Sequence, residues 1–280
     1  MKNSYTTRIR EILPHLELSL VEAIDPTSAD DVVLVNGEIV FRFLKQPRTQ
    51  AEFANEVDVI ELIRERVLLD LPNPFHARGG VIAYKELDGS DFDEQVISLR
   101  ETDQRAVASQ LAGLLQTIHQ APLGIFEQAG LRATPAPGRA DWPRFRTRFH
   151  AKIASGLTQP QVDRWQQLFD GVLDDEHIFD YEPCLVHGKL HSQHLLFDAK
   201  AKRLKSVDGF CRAGLGDAAL DIALVMLNWD EPLAANLHSR YPEVAALMER
   251  AHIYYQAFLL RRAFVAAESG DLSGFTASLN

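Results

Sequence analysis

The segment from His187 to His194 is the part of the sequence with the highest density of side chains that can do chemistry. It contains three histidines and Lys189. Asp208 follows directly after the predicted strand 204–207. In kinase-type catalytic loops a proton acceptor precedes one metal ligand by about five residues, and a carboxylate ligand follows on the next strand. Lys189, His194 and Asp208 have this spacing. The pattern therefore favours a phosphoryl-transfer site that uses a metal ion.

The three histidines also allow a second interpretation, a zinc site formed by His187, His191 and His194. On a helix these residues would project from roughly one face, and imidazole is a common zinc ligand. Gly188 and Ser192 disfavour a helix, and the apolar runs on both sides predict strands. Zinc therefore remains the weaker alternative.

Two charged residues in the N-terminal part, Arg42 and Glu56, would complete a phosphate site. Arg42 falls on the strand that follows the hairpin signal Asn36–Gly37, and Glu56 falls on the next helix. A guanidinium binds phosphate oxygens strongly, and a carboxylate can orient it. We therefore expect this pair to face the bound phosphates.

The elements that must position these residues divide into a strand-rich part and a helical part. The sequence predicts an α+β fold with two lobes, residues 1–87 and residues 88–280, and a ligand in the cleft between them. Predicted helices cover 5–16, 50–67, 102–120, 142–156, 160–173 and 241–270, and predicted strands cover 18–23, 32–35, 39–44, 81–84, 184–186, 194–197 and 204–207.

The composition narrows the class of protein. Hydrophobic residues make up 46% of the 280, and 39 acidic residues against 29 Lys and Arg give a formal net charge of -10. This charge opposes binding to nucleic acid or to an anionic membrane. Cys184 and Cys211 are too few for a disulfide framework. We expect a cytoplasmic protein with reduced thiols and no membrane partner.

Five stretches of the chain carry recognisable motifs. They are Leu-Val-His-Gly-Lys-Leu-His-Ser-Gln-His-Leu-Leu-Phe-Asp over 185–198, Ser-Val-Asp-Gly-Phe over 206–210, Gly-Asp-Ala-Ala-Leu-Asp-Ile-Ala over 216–223, and the N-terminal stretches 32–43 and 84–89. With these motifs the sequence resembles the aminoglycoside and macrolide phosphotransferase family over most of its length.

The resemblance implies a protein-kinase-like fold in which the first lobe covers the nucleotide and the second carries the catalytic loop and the acceptor site. It implies ATP or GTP and Mg²⁺ as cofactors, with the backbone of Lys85 and Leu87 holding the purine. His194 and Asp208 would be the magnesium ligands. Asparagine is usual at the position of His194, and macrolide phosphotransferases have histidine there.

The resemblance also assigns supporting and acceptor-binding residues. His187 would be a structural residue of the loop, and Asp217 and Asp221 would brace it. Asp230 and Glu231 would face the acceptor, the hydroxyl group of an aminoglycoside, a macrolide or a metabolite. We expect a monomer or a homodimer, and the sequence does not distinguish between them.

One departure from the family concerns the reaction itself. The family has Asp after His-Gly, where it orients or accepts the proton of the acceptor hydroxyl, and this chain has Lys189. A lysine ammonium cannot accept a proton, and a lysine base would require burial that favours the neutral amine, which two nearby anions would oppose. The sequence therefore predicts a phosphotransferase with impaired turnover, and the alternative is an inactive pseudokinase that binds a nucleotide or another ligand and acts as a regulatory protein.

Overall fold

The computed structural model describes most of the chain as two lobes. The described residues are 2–24, 30–46, 49–92, 100–122, 124, 131, 133–134, 136–229, 233 and 236–271. Within these ranges the first lobe is built on a five-stranded antiparallel sheet, and the second is mainly helical with two small sheets. The predicted α+β architecture with two lobes is confirmed.

The sheet of the first lobe has the strand order β1-β2-β3-β5-β4. Asn36 and Gly37 both have positive φ, 54° and 69°, and the Glu38 N–H donates to the Val35 oxygen, so these two residues are the centre of a tight turn. Together with Glu38 they form a three-residue connection between the paired Val35 and Ile39, one residue longer than the predicted two-residue turn, and this register sets Val32 opposite Arg42. The strands are β1 (Val21–Ala23), β2 (Asp31–Val35), β3 (Ile39–Phe43), β4 (His76–Arg78) and β5 (Val81–Lys85).

Two helices cover the two faces of this sheet. Helix α1 (Lys2–Ile12) places Ile9 in the core on one face. Helix α2 (Gln50–Ile63) packs on the other face and starts at a capping box in which Thr49 and Glu52 bond to each other's backbone N–H groups. Helix α2 carries Glu56 at a buried position, so the packing of this helix places that carboxylate under β3.

The second lobe contains five helices within the described ranges. Helix α7 lies along α6, and a second core of aromatic side chains joins α4 and α5 to α7. No helix in the described ranges is both long enough and apolar enough to cross a membrane. The helices are α3 (Glu101–His119), α4 (Trp142–Lys152), α5 (Gln159–Asp174), α6 (Ala219–Asn228) and α7 (Val244–Ser269).

Two small sheets in the second lobe hold the loops that carry the chemistry. One sheet pairs β7 with β10, and the other has the order β6-β8-β9. The loop 187–194 leaves the end of β7 and enters β8, and Asp208 follows the end of β9. The strands are β6 (Ser90–Asp91), β7 (Cys184–Val186), β8 (Leu195–Asp198), β9 (Arg203–Val207) and β10 (Gly214–Gly216).

The predicted elements are present, and several of their ends differ from prediction. Helix α1 ends at residue 12 and α2 at residue 63, each four residues before its predicted end, because turns follow both helices. The predicted helix 142–156 ends at residue 152 and continues as a separate 3-10 turn. Strands β4, β6 and β10 were not predicted, since they have two or three residues and, unlike the equally short β7, contain no apolar run.

Candidate active site

A cleft of about 310 Å³ lies between the two lobes and is lined by five of the twelve predicted site residues. Its first-lobe wall is largely apolar, with Ile24, Val32, Val40 and Tyr84. Its polar residues come from both lobes, and those predicted from the sequence are Arg42, Lys189, His194 and Asp208; the predicted Leu87 also lines the cleft. The fold therefore joins residues that are up to 166 positions apart in the sequence.

Two carboxylates hold the guanidinium of Arg42, which lines this cleft. Its Nη1 donates to Glu56 Oε1, and its Nη2 donates to Glu56 Oε2 at 3.0 Å and to Asp30 Oδ2 at 2.7 Å. All three residues are buried. Burial by itself lowers the pKa of the Arg42 guanidinium, but the charges of Glu56 and Asp30 raise it overall, well above its ordinary value.

The start of the catalytic loop is fixed by the carboxylate of Asp221 on α6. Its Oδ2 accepts the backbone N–H of His187 and its Oδ1 accepts that of Gly188, each at 2.8 Å. His119 Nε2 lies 3.1 Å from the same Oδ2. Burial would raise the pKa of this carboxyl, but the hydrogen bond and charge of His119 outweigh burial and lower it. Asp221 is therefore an ionised anchor for the loop.

His187 connects the catalytic loop to the loop that carries Asp208. Its Nε2 donates to the backbone oxygen of Asp208 at 2.9 Å, and its Nδ1 accepts the backbone N–H of Lys189 at 3.3 Å. These partners require the neutral imidazole with its proton on Nε2. Burial lowers the pKa of His187 to about 4, which keeps the ring neutral.

The predicted metal residues, His194 and Asp208, contact each other directly. His194 Nδ1 lies 2.7 Å from Asp208 Oδ1, and the Asp208 N–H donates to the His194 backbone oxygen at 3.0 Å. Gly209 has φ +83°, and a Cβ there would lie 2.4 Å from the His194 ring. The close packing of Gly209 thus fixes the imidazole beside the carboxylate.

The donor set at this position fits a magnesium ion that also depends on nucleotide phosphates. Asp208 has a partly exposed side chain that lines the cleft. Mg²⁺ in phosphate-transfer sites is held by one or two carboxylates together with phosphate oxygens and water. Asp208 supplies such a carboxylate, whereas His194 uses its Nδ1 on Asp208 and has its Nε2 buried.

The zinc alternative is not supported by the structure. Within the described ranges no group of three or more His, Cys, Asp or Glu side chains is placed to hold a metal ion. His187 uses both ring nitrogens on backbone groups, and His191 Nδ1 lies 2.8 Å from Asn228 Oδ1. The predicted helix face for the three histidines does not form, because only residues 192–194 are helical and they make a single 3-10 turn.

Lys189 and Leu87 line the cleft, whereas Lys85 does not. Lys189 is partly buried and lies there with Asp208. Glu86 also lines the cleft, and burial followed by the charge of Asp208 raises the pKa of its carboxyl. Lys85 lines a separate depression. Its backbone contact to a purine stays a prediction.

The remaining predicted residues have varied placements. Asp217 bonds to Arg250 Nε at 2.7 Å, to the Tyr254 hydroxyl at 3.0 Å and to the Ala219 N–H at 3.0 Å. Asp217 therefore connects the start of α6 to α7. Its described hydrogen bonds do not reach the loop 187–194, so it supports that loop only through α6. The predicted acceptor residues, Asp230 and Glu231, lie outside the described residues.

Sequence reasoning missed three groups that act on this site. Asp30 lies between two predicted strands and in no predicted element, and the structure shows that it is a buried partner of Arg42. His119 was seen only as part of a helix, and it contacts Asp221 and the Tyr241 hydroxyl. Arg250 belongs to the last helix, where its bond to Asp217 depends on tertiary packing.

Removal of the Asp221 carboxylate should destabilise the protein strongly. Asp221→Ala leaves the buried N–H groups of His187 and Gly188 without their acceptor, so we expect a loss of about 3 kcal/mol in the free energy of unfolding. Urea denaturation measures this loss. Asp58→Ala, at an exposed position of α2, is the control and should change stability by less than about 0.5 kcal/mol. Equal effects of the two substitutions would contradict the role of Asp221.

The pH dependence of stability should reveal the buried His187. Its folded-state pKa of about 4 lies below the ordinary value. Between the two values the unfolded chain binds a proton that the folded chain does not, so stability falls as the pH is lowered from about 6.5 to about 4. We expect His187 to account for a loss of about 3 kcal/mol over this interval. Urea denaturation across this pH range tests it, and the same slope in His187→Gln would refute it.

Comparisons with known proteins identify the family and the fold. Among solved structures, the GDP complex of wild-type aminoglycoside 2'-phosphotransferase-IIIa superimposes with a TM-score of 0.82 at 18% identity, covering 99% of this chain and 96% of that one. The ADP-bound aminoglycoside phosphotransferase APH(2'')-Ib gives 0.72 at 14% identity, covering 100% and 97%. Macrolide 2'-phosphotransferase type I gives 0.69 at 21% identity, covering 100% and 96%.

These similarities show the two-lobe, protein-kinase-like fold that the sequence resemblance implies. A comparison with curated protein sequences gave no match. The model of the phosphotransferase enzyme family matches residues 21–254, which is most of the chain. The chain therefore belongs to the phosphotransferase enzyme family.

Proposed function

We propose that the chain binds ATP or GTP in the cleft and transfers the γ-phosphate to a hydroxyl group of a small molecule, slowly because of Lys189. The observation that carries this proposal is that Arg42, which bonds to the buried Glu56, lines one cleft together with the bonded pair His194 and Asp208. Membership of the phosphotransferase enzyme family supports the reaction type.

The apolar wall of the cleft suits the purine of the nucleotide. Val32, Val40 and Tyr84 from the first lobe face Leu196 from the second lobe across the cleft. A flat base can pack between such side chains, and the backbone of Lys85 and Leu87 is proposed to bond its edge. Two of the compared structures contain GDP and ADP, which supports a nucleotide ligand and leaves the choice of base to experiment.

The polar residues of the cleft suit the phosphates. Arg42, oriented by Glu56, would bind phosphate oxygens. Asp208, held by His194, would be the carboxylate of the magnesium site. Magnesium would neutralise charge that develops on the phosphate oxygens during transfer.

The transfer step explains why Lys189 matters. The acceptor hydroxyl oxygen forms a new bond to the γ-phosphorus, and the bond from that phosphorus to the bridging oxygen breaks. The hydroxyl proton must leave. An ammonium group has three hydrogens to donate and no acceptor, so Lys189 cannot take this proton, which passes to water. General-base help is typically worth about 10²- to 10⁴-fold in rate, and this chain would lack it.

The acceptor is proposed from the compared proteins. Their names specify aminoglycosides and a macrolide, so these two classes, together with small hydroxylated metabolites, are the first candidates. The hydroxyl would approach the γ-phosphate past Lys189. Asp230 and Glu231 stay proposed acceptor contacts.

A second candidate function is a binding protein that retains the cleft and performs no transfer. Lys189 is the observation that favours it, because the loop keeps its bracing by Asp221 while the position of the proton acceptor holds a cation. Nucleotide binding without transfer to any acceptor would distinguish this pseudokinase from a slow enzyme.

Replacement of Lys189 by an acid should accelerate transfer. We expect Lys189→Asp to phosphorylate an accepted antibiotic about 10²- to 10⁴-fold faster than the unmodified chain. Lys189→Asn is the matched control, since it removes the cation without adding a proton acceptor, and it should stay slow. Nucleotide consumption with kanamycin and erythromycin as acceptors measures the rates. Thermal-shift titrations with ATP and GTP, with and without magnesium, measure binding.

Two results would count against these assignments. If Lys189→Asp binds nucleotide and is no faster than Lys189→Asn with either antibiotic, position 189 does not supply the base in this chain. If neither the unmodified chain nor the variants show a nucleotide-dependent shift in melting temperature, the cleft does not bind nucleotide and the proposed function is wrong.

A further inference from the structure

The contact between Asp30 and Arg42 places an acid where a phosphate would be expected. The Asp30 side chain is fully buried, and its Oδ2 lies 2.7 Å from Arg42 Nη2. Both residues line the proposed nucleotide cleft. Glu56 approaches the guanidinium from α2, whereas Asp30 approaches it from the start of β2.

The hydrogen-bonding capacity of Arg42 makes this contact significant. Each terminal guanidinium nitrogen carries two hydrogens. Nη2 uses one on Glu56 Oε2 and the other on Asp30 Oδ2, so this nitrogen is fully occupied by the protein's own carboxylates. A phosphate oxygen that is to accept from Nη2 must therefore replace one of them.

Of the two carboxylates, Asp30 is the one that can leave at lower cost. Glu56 makes two bonds to Arg42 and sits in the middle of a packed helix. Asp30 has one described bond to Arg42, and it precedes Asp31, the first residue of the β2 ladder. Its side chain can turn away without breaking the pairing of β2 with β3.

We propose that Asp30 is an internal competitor of the nucleotide: its carboxylate occupies the anion position on Arg42, and phosphates bind there only when it withdraws. This inference rests on the proposed function, because it assumes that Arg42 is the phosphate-binding cation. Exchange of one anion for another on the same guanidinium requires no new positive charge. Asp30 therefore lowers affinity for phosphate-bearing ligands and leaves binding of the base and sugar unaffected.

The substitution Asp30→Asn tests this proposal, with adenosine and guanosine as internal controls for ATP and GTP. The amide removes the charge at nearly the same volume. We expect the triphosphate of the preferred base to bind about 10- to 100-fold more tightly, the range of a hydrogen bond between charged groups. Binding of the matching nucleoside should stay unchanged. Calorimetry is done with and without EDTA, and the gain should persist without divalent cations because it arises at Arg42.

Asp31→Asn is the matched control at the adjacent position. Asp31 is partly exposed, lies 3.5 Å from Lys45 and is not among the residues that line the cleft. Asp31→Asn should leave the ratio of the affinity for triphosphate to the affinity for nucleoside unchanged. An equal gain in both variants would assign the effect to the overall charge of the protein and overturn the proposal.

Other outcomes also decide the matter. If Asp30→Asn binds the triphosphate no better or more weakly, Asp30 positions Arg42 for phosphate, and the proposal is wrong while nucleotide binding stands. If the unmodified chain and the variants bind neither triphosphate nor nucleoside, the proposed function fails together with the inference. Asp30→Ser is the second variant, and failure of both to fold, judged by circular dichroism, would make Asp30 a structural residue and overturn the competitor role.

Discussion

The buried carboxylate of Asp221 is the group on which the rest of the cleft depends. It accepts two consecutive backbone N–H groups from the catalytic loop, and it is itself held by His119. A carboxylate that is completely removed from water is stable only when hydrogen bonds to its charged form compensate for the lost solvation. Helix α6, which carries Asp221, is apolar and packed into the core. The loop is therefore anchored directly to the core.

His187 links Asp221 to the second loop, which carries Asp208. The backbone N–H of His187 is fixed by Asp221, and its ring then reaches the backbone oxygen of Asp208. Asp208 in turn bonds to His194 by both its side chain and its backbone. Asp221, His187 and His194 are buried, so their bonding groups have little access to water, whereas the Asp208 side chain is partly exposed to the cleft. The position of the Asp208 carboxylate thus follows from a series of hydrogen bonds that starts in the core.

The sequence predicted those cleft residues that belong to local sequence patterns. The hairpin turn at Asn36–Gly37 placed Arg42 on a strand, and the spacing from Lys189 to Asp208 placed these residues on adjacent loops. The partner of Arg42 had no such signal. A two-residue turn would set Val32 opposite Phe41, whereas the structure has three residues, 36–38, between the paired Val35 and Ile39, and this register puts Asp30 on the same side of the strand as Arg42. His119 and Arg250 also had no signal, because only tertiary packing of distant helices brings them to Asp221 and Asp217.

The charge at position 189 acts in opposite directions on binding and on transfer. Among the described residues that line the cleft, Arg42 and Lys189 stand against the acids Asp30, Glu86 and Asp208. An acid at 189 would make four acids against one cation, and a triphosphate would enter that cleft only with more compensating positive charge. Lysine brings the cleft closer to neutrality and so favours a polyanionic ligand, but it removes the atom that could accept the hydroxyl proton. Under the proposed function, Lys189 therefore strengthens nucleotide binding and slows phosphate transfer. The KM for nucleotide and kcat should both rise when Lys189 is replaced by Asp.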